Sequence, residues 1–353
     1  MDLNNLILIF FLIAFGILFY KCFLLVINKY NLKLLIDDQL RKPQAFHTSP
    51  TPSIGGAGIF FSLLIVHFYF LLFKDIFFLE YLSFCTLFFF LGFVDDIKIN
   101  FNPKIRLALM IIFLILLVKY NNFYLEQTGI QVLNAWLDHI KYFSLVFVCL
   151  CFLFVINGAN LIDGYNGLLG IHSLIIFVNL FLINYLNGNS DLALFLFLEI
   201  LILINFLIFN FPKAKIFLGD NGAYLLGTFI AISVIKTSIA VPTISPFYFC
   251  ILLFYLFFEV FFSFFRKLLK EKISPLYPDK KHLHMLLYKI LLKKNNNKIK
   301  SNYYVSVIIN LFYFILTIPA ILMMNNSMFC KYYSIIFFLI YFFSYKIIHE
   351  KAK

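Results

Sequence analysis

Long apolar runs, broken by short polar clusters, set the pattern of this chain. A helix needs about 20 apolar residues to cross a bilayer. Eleven segments approach that length: residues 4–27, 54–73, 77–94, 104–121, 143–157, 169–187, 191–210, 222–238, 246–265, 302–324 and 332–348. The fifth is short, and the fourth opens in polar residues. The pattern predicts an all-α, polytopic integral membrane protein with about eleven transmembrane helices. The first run has no basic region before it and no small-residue cleavage site after it, which predicts a retained span and not a cleaved signal. No repeat of 20–50 residues is evident.

Composition agrees with this reading. Hydrophobic residues make up 63% of the chain and charged residues 13%, against about 25% charged in a soluble domain. Alternating the loops from side to side puts 23 of the 29 Lys and Arg residues on one side and 5 on the other, with Lys21 inside the first span. The positive-inside rule makes the rich side cytoplasmic. The N-terminus is then outside and the C-terminus inside. The net charge of +12 is accounted for by orientation, without nucleic acid as a partner. The six cysteines form no C-x-x-C pair and mostly lie in apolar runs, so they read as small core residues. The longest outside loop, about 119–142, contains the single tryptophan, Trp136, near Leu133, Leu137, Ile140 and Phe143, and predicts an amphipathic helix at the interface.

The same alternation brings the candidate chemistry to one face. Behind the apolar run 145–156 comes N-G-A-N-L-I-D-G-Y-N-G-L-L-G, residues 157–170. Asn157, Asn160, Asp163 and Asn166 recur every third position. On a helix each such step retreats by about 60°, so the first three share one broad face. Carboxylates and amides at a membrane boundary are costly unless they bind something. The third span ends G-F-V-D-D-I-K; Asp95 and Asp96 point about 100° apart on a helix and should take separate partners. Before the eighth span, Gly219 and Gly222 bracket Asp220 and leave it open, which makes it the best candidate metal ligand. The basic loop 41–56, with Lys42, is a candidate substrate contact. After the ninth span, P-D-K-K-H-L-H-M presents Lys280, Lys281, His282 and His284. On a helix the two histidines would diverge by about 160°, so a shared face requires extended backbone. The cluster is a poor zinc site and a donor-rich one suited to phosphate oxygens. Carboxylates for Mg2+ beside cations for phosphate suit phosphoryl transfer, in which positioning and charge neutralisation dominate.

From about Asp37 to Leu287 the chain resembles the polyprenyl-phosphate N-acetylhexosamine-1-phosphate transferases, a family that also includes the phospho-MurNAc-pentapeptide translocases. N-x-x-N-x-x-D-G-x-N-G-L at 157–168 and F-x-G-D-x-G at 217–222 carry the resemblance, with D-D at 95–96 and H-x-H at 282–284. The resemblance implies one transmembrane catalytic domain over residues 1–353 in the bacterial inner (cytoplasmic) membrane. It implies Asp95 and Asp96 as the catalytic acidic pair, Asn160 and Asp163 as nucleotide- or metal-site residues, and Asp220 as a magnesium ligand. It implies His282 and His284 as the motif that meets the diphosphate, with Lys98 and Arg106 as basic contacts. The cofactor would be Mg2+ or Mn2+; the partners would be a UDP-N-acetylhexosamine, polyprenyl phosphate and the lipid bilayer, with a homodimer left open. Ser53, Ala223, Glu259 and Met285 depart from the usual family pattern. The pattern implies transfer of GlcNAc-1-phosphate or a related HexNAc-1-phosphate; phospho-MurNAc-pentapeptide transfer and, in another class, an ion-coupled transporter are the alternatives.

Overall fold

A computed structural model describes residues 3–30, 36–37, 50–97, 102–125, 127–140, 142–274 and 279–353. The predicted apolar segments are helices: α1 (Leu3–Tyr30), α2 (Gly55–Lys74), α3 (Leu79–Asp96), α4 (Pro103–Tyr120), α6 (Phe143–Ile162), α7 (Leu168–Leu186), α8 (Ser190–Asn210), α9 (Gly219–Ala240), α10 (Pro246–Leu252) with α11 (Phe254–Phe265), α13 (Lys298–Leu322) and α14 (Ser327–Ala352). Between them lie α5 (Gln131–His139) and α12 (Leu283–Asn295). Among the described residues, eight helices are long and apolar enough to cross a membrane, and nine if the bent pair around Leu253 is one span. α3 and α4 fall outside that set because each carries three charged residues near its ends: Glu80, Asp95 and Asp96, and Lys104, Arg106 and Lys119.

Four features differ from the sequence reading. The fifth span does not stop at residue 157; α6 runs to Ile162, so Asn157 and Asn160 are helical and their backbone is already satisfied. The ninth span is broken: helix Pro246–Leu252 and the helix through Glu271 meet at 74°. Leu252 gives its carbonyl oxygen to the hydroxyl of Tyr313 on α13, a side chain entering the helical ladder, which is a known cause of kinks. The fold is also not purely helical. β1 (Ile36–Asp37) pairs antiparallel with β2 (Thr51–Pro52). α12 was not predicted, because its Lys-rich sequence lacks a span's hydropathy. The tryptophan segment is α5, as expected; none of its residues is buried, and Trp136 meets Phe143 edge to face at 5.5 Å.

α9 is the central element. Of its apolar window 78% is buried, against 17% for α14. It packs on α2, α3, α6 and α7. Close approach, not hydrophobicity, discriminates between helix neighbours in lipid. At Gly92 an added Cβ would lie 2.5 Å from the Asp220 carbonyl oxygen, so only glycine lets α3 meet the start of α9. One end of the bundle collects the start of α4 and α9 and the ends of α3 and α6. The other end holds the ion pair of Glu80 with Lys236, which links α3 to α9. Near that second end a cavity of about 310 Å³ opens between α5, α6, α9 and α10, lined by Phe147, Phe152, Val234, Phe247 and Phe257 among others.

Candidate active site

The sequence places adjacent acids at the end of α3, and the helix turns them to different partners. Asp95 Oδ2 accepts from Arg106 Nη1 at 2.9 Å, across to the first turns of α4. Asp96 is committed to backbone: Oδ1 accepts from the amide of Asp220 and Oδ2 from that of Asn221, each at 2.9 Å. Those amides belong to the first turn of α9, where no intrahelical acceptor exists. Asp96 is therefore an N-cap supplied by another helix, favoured also by the positive end of the helix dipole. Gly219 makes room for it. Its φ is +83°, and a Cβ there would stand 2.8 Å from Asp96 Oδ2.

Asp220, so placed, accepts at Oδ1 from Asn160 Nδ2 at 2.7 Å. Asn160 comes from the last turns of α6, and Asp163 caps the same helix at its C-terminus. Burial, together with the charges of Asp220 and Asp96, pushes the Asp163 carboxyl well above the ordinary carboxylate range. The structure thus brings Asp95, Asp96, Arg106, Asn160, Asp163 and Asp220 together. Asn157 bonds to the Leu153 carbonyl at 2.8 Å and touches Met110 of α4. Asn166 turns the other way. Its amide N–H donates to Asn302 Oδ1 at 2.9 Å and its side chain to the Pro212 carbonyl at 3.0 Å, so it fastens the α6–α7 turn. Lys42 and Lys98 lie outside the described residues.

The histidines form a second cluster. His282 is the N-cap of α12, with extended backbone at ψ 151°. That conformation brings the two rings parallel, 5.5 Å apart, and meets the condition set by their spacing. They are not, however, on an exposed basic loop. His282 is 3% exposed and His284 fully buried. His282 Nδ1 lies 3.1 Å from Glu259 Oε2, and Nε2 lies 3.4 Å from Asp279 Oδ1. Glu259 Oε1 also accepts the amide of Leu283 at 3.1 Å. Arg266 bridges Asp279 at 2.6 Å and Glu271 at 2.7 Å, and Lys281 reaches Glu271 at 2.9 Å. Burial lowers the His284 pKa to about 4 although Glu259 opposes it; the ring is neutral at pH 7. Its Nε2 is buried without a hydrogen-bond partner. Tyr165, two residues beyond Asp163, packs on His284 at 5.7 Å between ring centroids and so links the clusters.

Four residues missed as functional candidates now stand out. Glu259 was visible only as a departure, although a lone acid in F-F-E-V-F-F signals a buried partner. Asp279 and Arg266 gave no signal beyond ordinary loop charge. Tyr224, one turn after Asp220, is fully buried, and its unpartnered hydroxyl lies within electrostatic reach of Asp220, Arg106, Asp95 and Asp96.

Among the described residues no three His, Cys, Asp or Glu side chains converge on one point as a metal cage. Mg2+ seldom needs one; it binds through one or two carboxylates and takes water and substrate oxygens for the rest. Asp163 and Asp220, crowded like charges in a buried setting, fit that requirement.

These features define a multi-pass, α-helical membrane protein with a cation-poor, carboxylate-rich site at one end of its central helix. Residues 78–238 match the family described as glycosyl transferase family 4, in agreement with the resemblance carried by the motifs. The matched segment holds all four aspartates and Asn160 but neither histidine. The chain is 37% identical over 194 residues to the phospho-N-acetylmuramoyl-pentapeptide-transferase of Dictyoglomus turgidum, covering 53% of this chain and 59% of that one. It is 28% identical over 255 residues to the undecaprenyl-phosphate alpha-N-acetylglucosaminyl 1-phosphate transferase of Escherichia coli O157:H7, covering 69% and 66%. For the protein of the same name in Yersinia pestis, 28% identity extends over 282 residues, 77% and 74% of the two chains. The chain thus spans about three fifths of the Dictyoglomus relative's length.

Proposed function

We propose that this protein transfers HexNAc-1-phosphate, most simply GlcNAc-1-phosphate, from a UDP-sugar to polyprenyl phosphate at the cytoplasmic face of a bacterial inner membrane. An oxygen of the lipid phosphate attacks the β-phosphorus of the donor. The bond from that phosphorus to the bridging oxygen breaks, UMP leaves with the electron pair, and polyprenyl-diphospho-HexNAc forms. The observation that carries this reading is the convergence of Asp220, Asp163, Asn160 and the Asp95–Arg106 pair around the first turn of α9. Asp220 and Asp163 would hold Mg2+ or Mn2+, which when bound offsets the negative charge of the diphosphate. Asp96 fixes the backbone that presents Asp220, Asn160 orients its carboxylate, and His284 offers an unpaired buried ring nitrogen on the far side of Tyr165.

In this reading the bundle crosses the membrane eleven times as one domain, N-terminus outside and C-terminus inside. α3 and α4 cross with their charged residues at the ends. The apolar cavity near the outer end would receive the distal isoprenoid units. The two GlcNAc-1-phosphate transferases align with more of this chain than the pentapeptide transferase does, 69% and 77% against 53%, which supports the HexNAc donor. Higher identity over the shorter stretch favours the pentapeptide donor as the second reading. An ion-coupled transporter is less well supported, since its acids belong at mid-membrane and these sit at helix ends. The test is UMP release by purified protein given polyprenyl phosphate and a panel of UDP-sugars. Release with UDP-GlcNAc or another simple UDP-HexNAc is expected. Release with UDP-MurNAc-pentapeptide alone would replace the HexNAc reading, and no release with any donor would end both.

A further inference from the structure

α14 has the marks of a peripheral anchor: one face to lipid and little of its apolar window buried. Its cytoplasmic third does not fit that role. Tyr341, Tyr345 and His349 follow at intervals of four and form one stripe. Their rings stack in sequence, Tyr341 on Tyr345 at 6.4 Å and 14°, Tyr345 on His349 at 5.8 Å and 7°. Tyrosines of a membrane interface belt turn their hydroxyls out to the headgroups. These two turn inward, 5% and 9% exposed, against Phe258 and Phe262 of α11.

The stripe reaches the histidine pair from two directions. The Tyr345 hydroxyl donates to the carbonyl oxygen of Lys281 at 3.0 Å, in the residue immediately before His282. The Tyr341 hydroxyl, buried without a hydrogen-bond partner, lies within electrostatic reach of Glu259, the acid that holds both the His282 ring and the Leu283 amide. α14 has the reach to do this. Its 26 residues extend about 39 Å, beyond the roughly 30 Å of a hydrocarbon core. All of this lies outside the matched segment 78–238.

We infer that α14 is a working part of the active centre, and that Tyr345, with Tyr341, is a positioning residue that sets the His282–His284 pair for the donor. The inference rests on the proposed role of those histidines at the diphosphate. His282 has both ring nitrogens turned to carboxylates and serves as the strut. His284, stacked upon it, is the ring whose place is being set.

The experiment is Tyr345→Phe in the full-length protein, which keeps the stacking ring and removes one hydrogen bond. Two readouts are needed. Hydrogen–deuterium exchange of purified wild type and variant, without substrate, reports on the joint itself; amides of residues 281–286 should exchange about fivefold faster in the variant, as loss of one ordinary hydrogen bond implies. Steady-state UMP release should show a KM for the UDP-sugar raised by a similar factor, with the KM for polyprenyl phosphate unchanged. Phe343→Ala, on the exposed face of the same helix, should change neither. Unaltered exchange overturns the inference. So does altered exchange accompanied by a lower kcat and unchanged KM values, which is what a purely structural role would give. Failure of the wild type itself to release UMP would instead count against the proposed reaction, and the exchange result would still decide whether α14 holds the loop.

Discussion

The two polar clusters solve opposite electrostatic problems. Around α9, Asp95, Asp96, Asp163 and Asp220 face a single described cation, Arg106. Around α12, Glu259, Glu271 and Asp279 are matched by Arg266, Lys267 and Lys281, with His282 held between two of the acids. The first cluster is left in charge deficit, as the proposed cation site requires. The second is nearly complete without a ligand. What a functional site lacks is therefore as informative as what it contains: deficit marks the place where something binds, and balance marks the frame that holds a binding group still.

The contrast can be broken by mutation. The largest effect should come from Asp220→Asn, which keeps shape and removes charge where it is needed. Loss of one preorganised electrostatic group costs on the order of 10²–10³ in kcat, and this variant should fall at least as far as Asp95→Asn. Turnover across a Mg2+ titration should recover in part for Asp220→Asn only. Recovery of Asp95→Asn alone would move the metal to the other acid.

Next in size are two substitutions that should shift stability in opposite directions. Glu259→Gln removes one of the two carboxylates facing His282 and the charged acceptor of the Leu283 amide, and loss of a charge-assisted hydrogen bond costs about 1.5–3 kcal/mol; the detergent-solubilised protein should melt at lower temperature. Asp163→Asn should do the reverse. Its carboxylate is disfavoured by burial and by its neighbours, so neutralising it should raise stability by about 1 kcal/mol while activity falls, the usual exchange at a functional site. If both variants melt lower, the α9 cluster has no charge deficit.

The smallest effects concern pH. The Asp163 pKa is raised on folding, so the folded state gains from its proton at low pH and loses that gain as pH rises through the raised value. A cation bound there, as proposed, would take the place of the proton. Thermal stabilisation by Mg2+ without substrate should therefore grow as pH rises, and a constant shift would be evidence against metal at this carboxylate. His284 behaves oppositely. Its pKa falls to about 4 from the ordinary 6.5; stability contributed by the neutral ring is full above 6.5 and is lost as pH falls toward 4. Substituting His284→Gln should flatten that acid limb and leave the Mg2+ response unchanged.

Much of this was legible in the chain because lipid punishes exposed backbone and isolated polarity. Eleven apolar segments predicted helices that the structure contains, since a spanning segment has few alternatives to helix. Asp163 and Asp220 were conspicuous for the same reason. What could not be read depended on contacts between distant elements. The break at Leu253 is made by Tyr313, sixty residues later, and nothing in residues 246–265 announces it. Asp96 reads as one of an acidic pair, and its capping of α9 appears only once α3 and α9 have packed at Gly92. Asn166 keeps the rhythm of Asn157 and Asn160, but the helix ends at Ile162 and the rhythm loses its geometric meaning. The histidine spacing forbade a shared helical face; the chain complied by leaving helix at His282.

The short strand β2 runs on into a backbone seam. The Phe217 amide donates to the Pro52 carbonyl at 2.7 Å, and the amides of Gly55 and Gly56 donate to the carbonyls of Phe217 and Leu218 at 2.9 and 2.8 Å. The segment entering α2 is thus sewn by backbone hydrogen bonds to the residues just ahead of Asp220. Alanine at Phe217 keeps every atom that takes part, whereas an added Cβ would stand 2.5 Å from the Phe206 ring at Gly55 and 1.9 Å from Asn221 Oδ1 at Gly56, so the glycine half of the joint admits no side chain. Proline at Phe217 would remove the stitch to Pro52 alone, and would show how far the position of a buried carboxylate depends on a seam made of backbone.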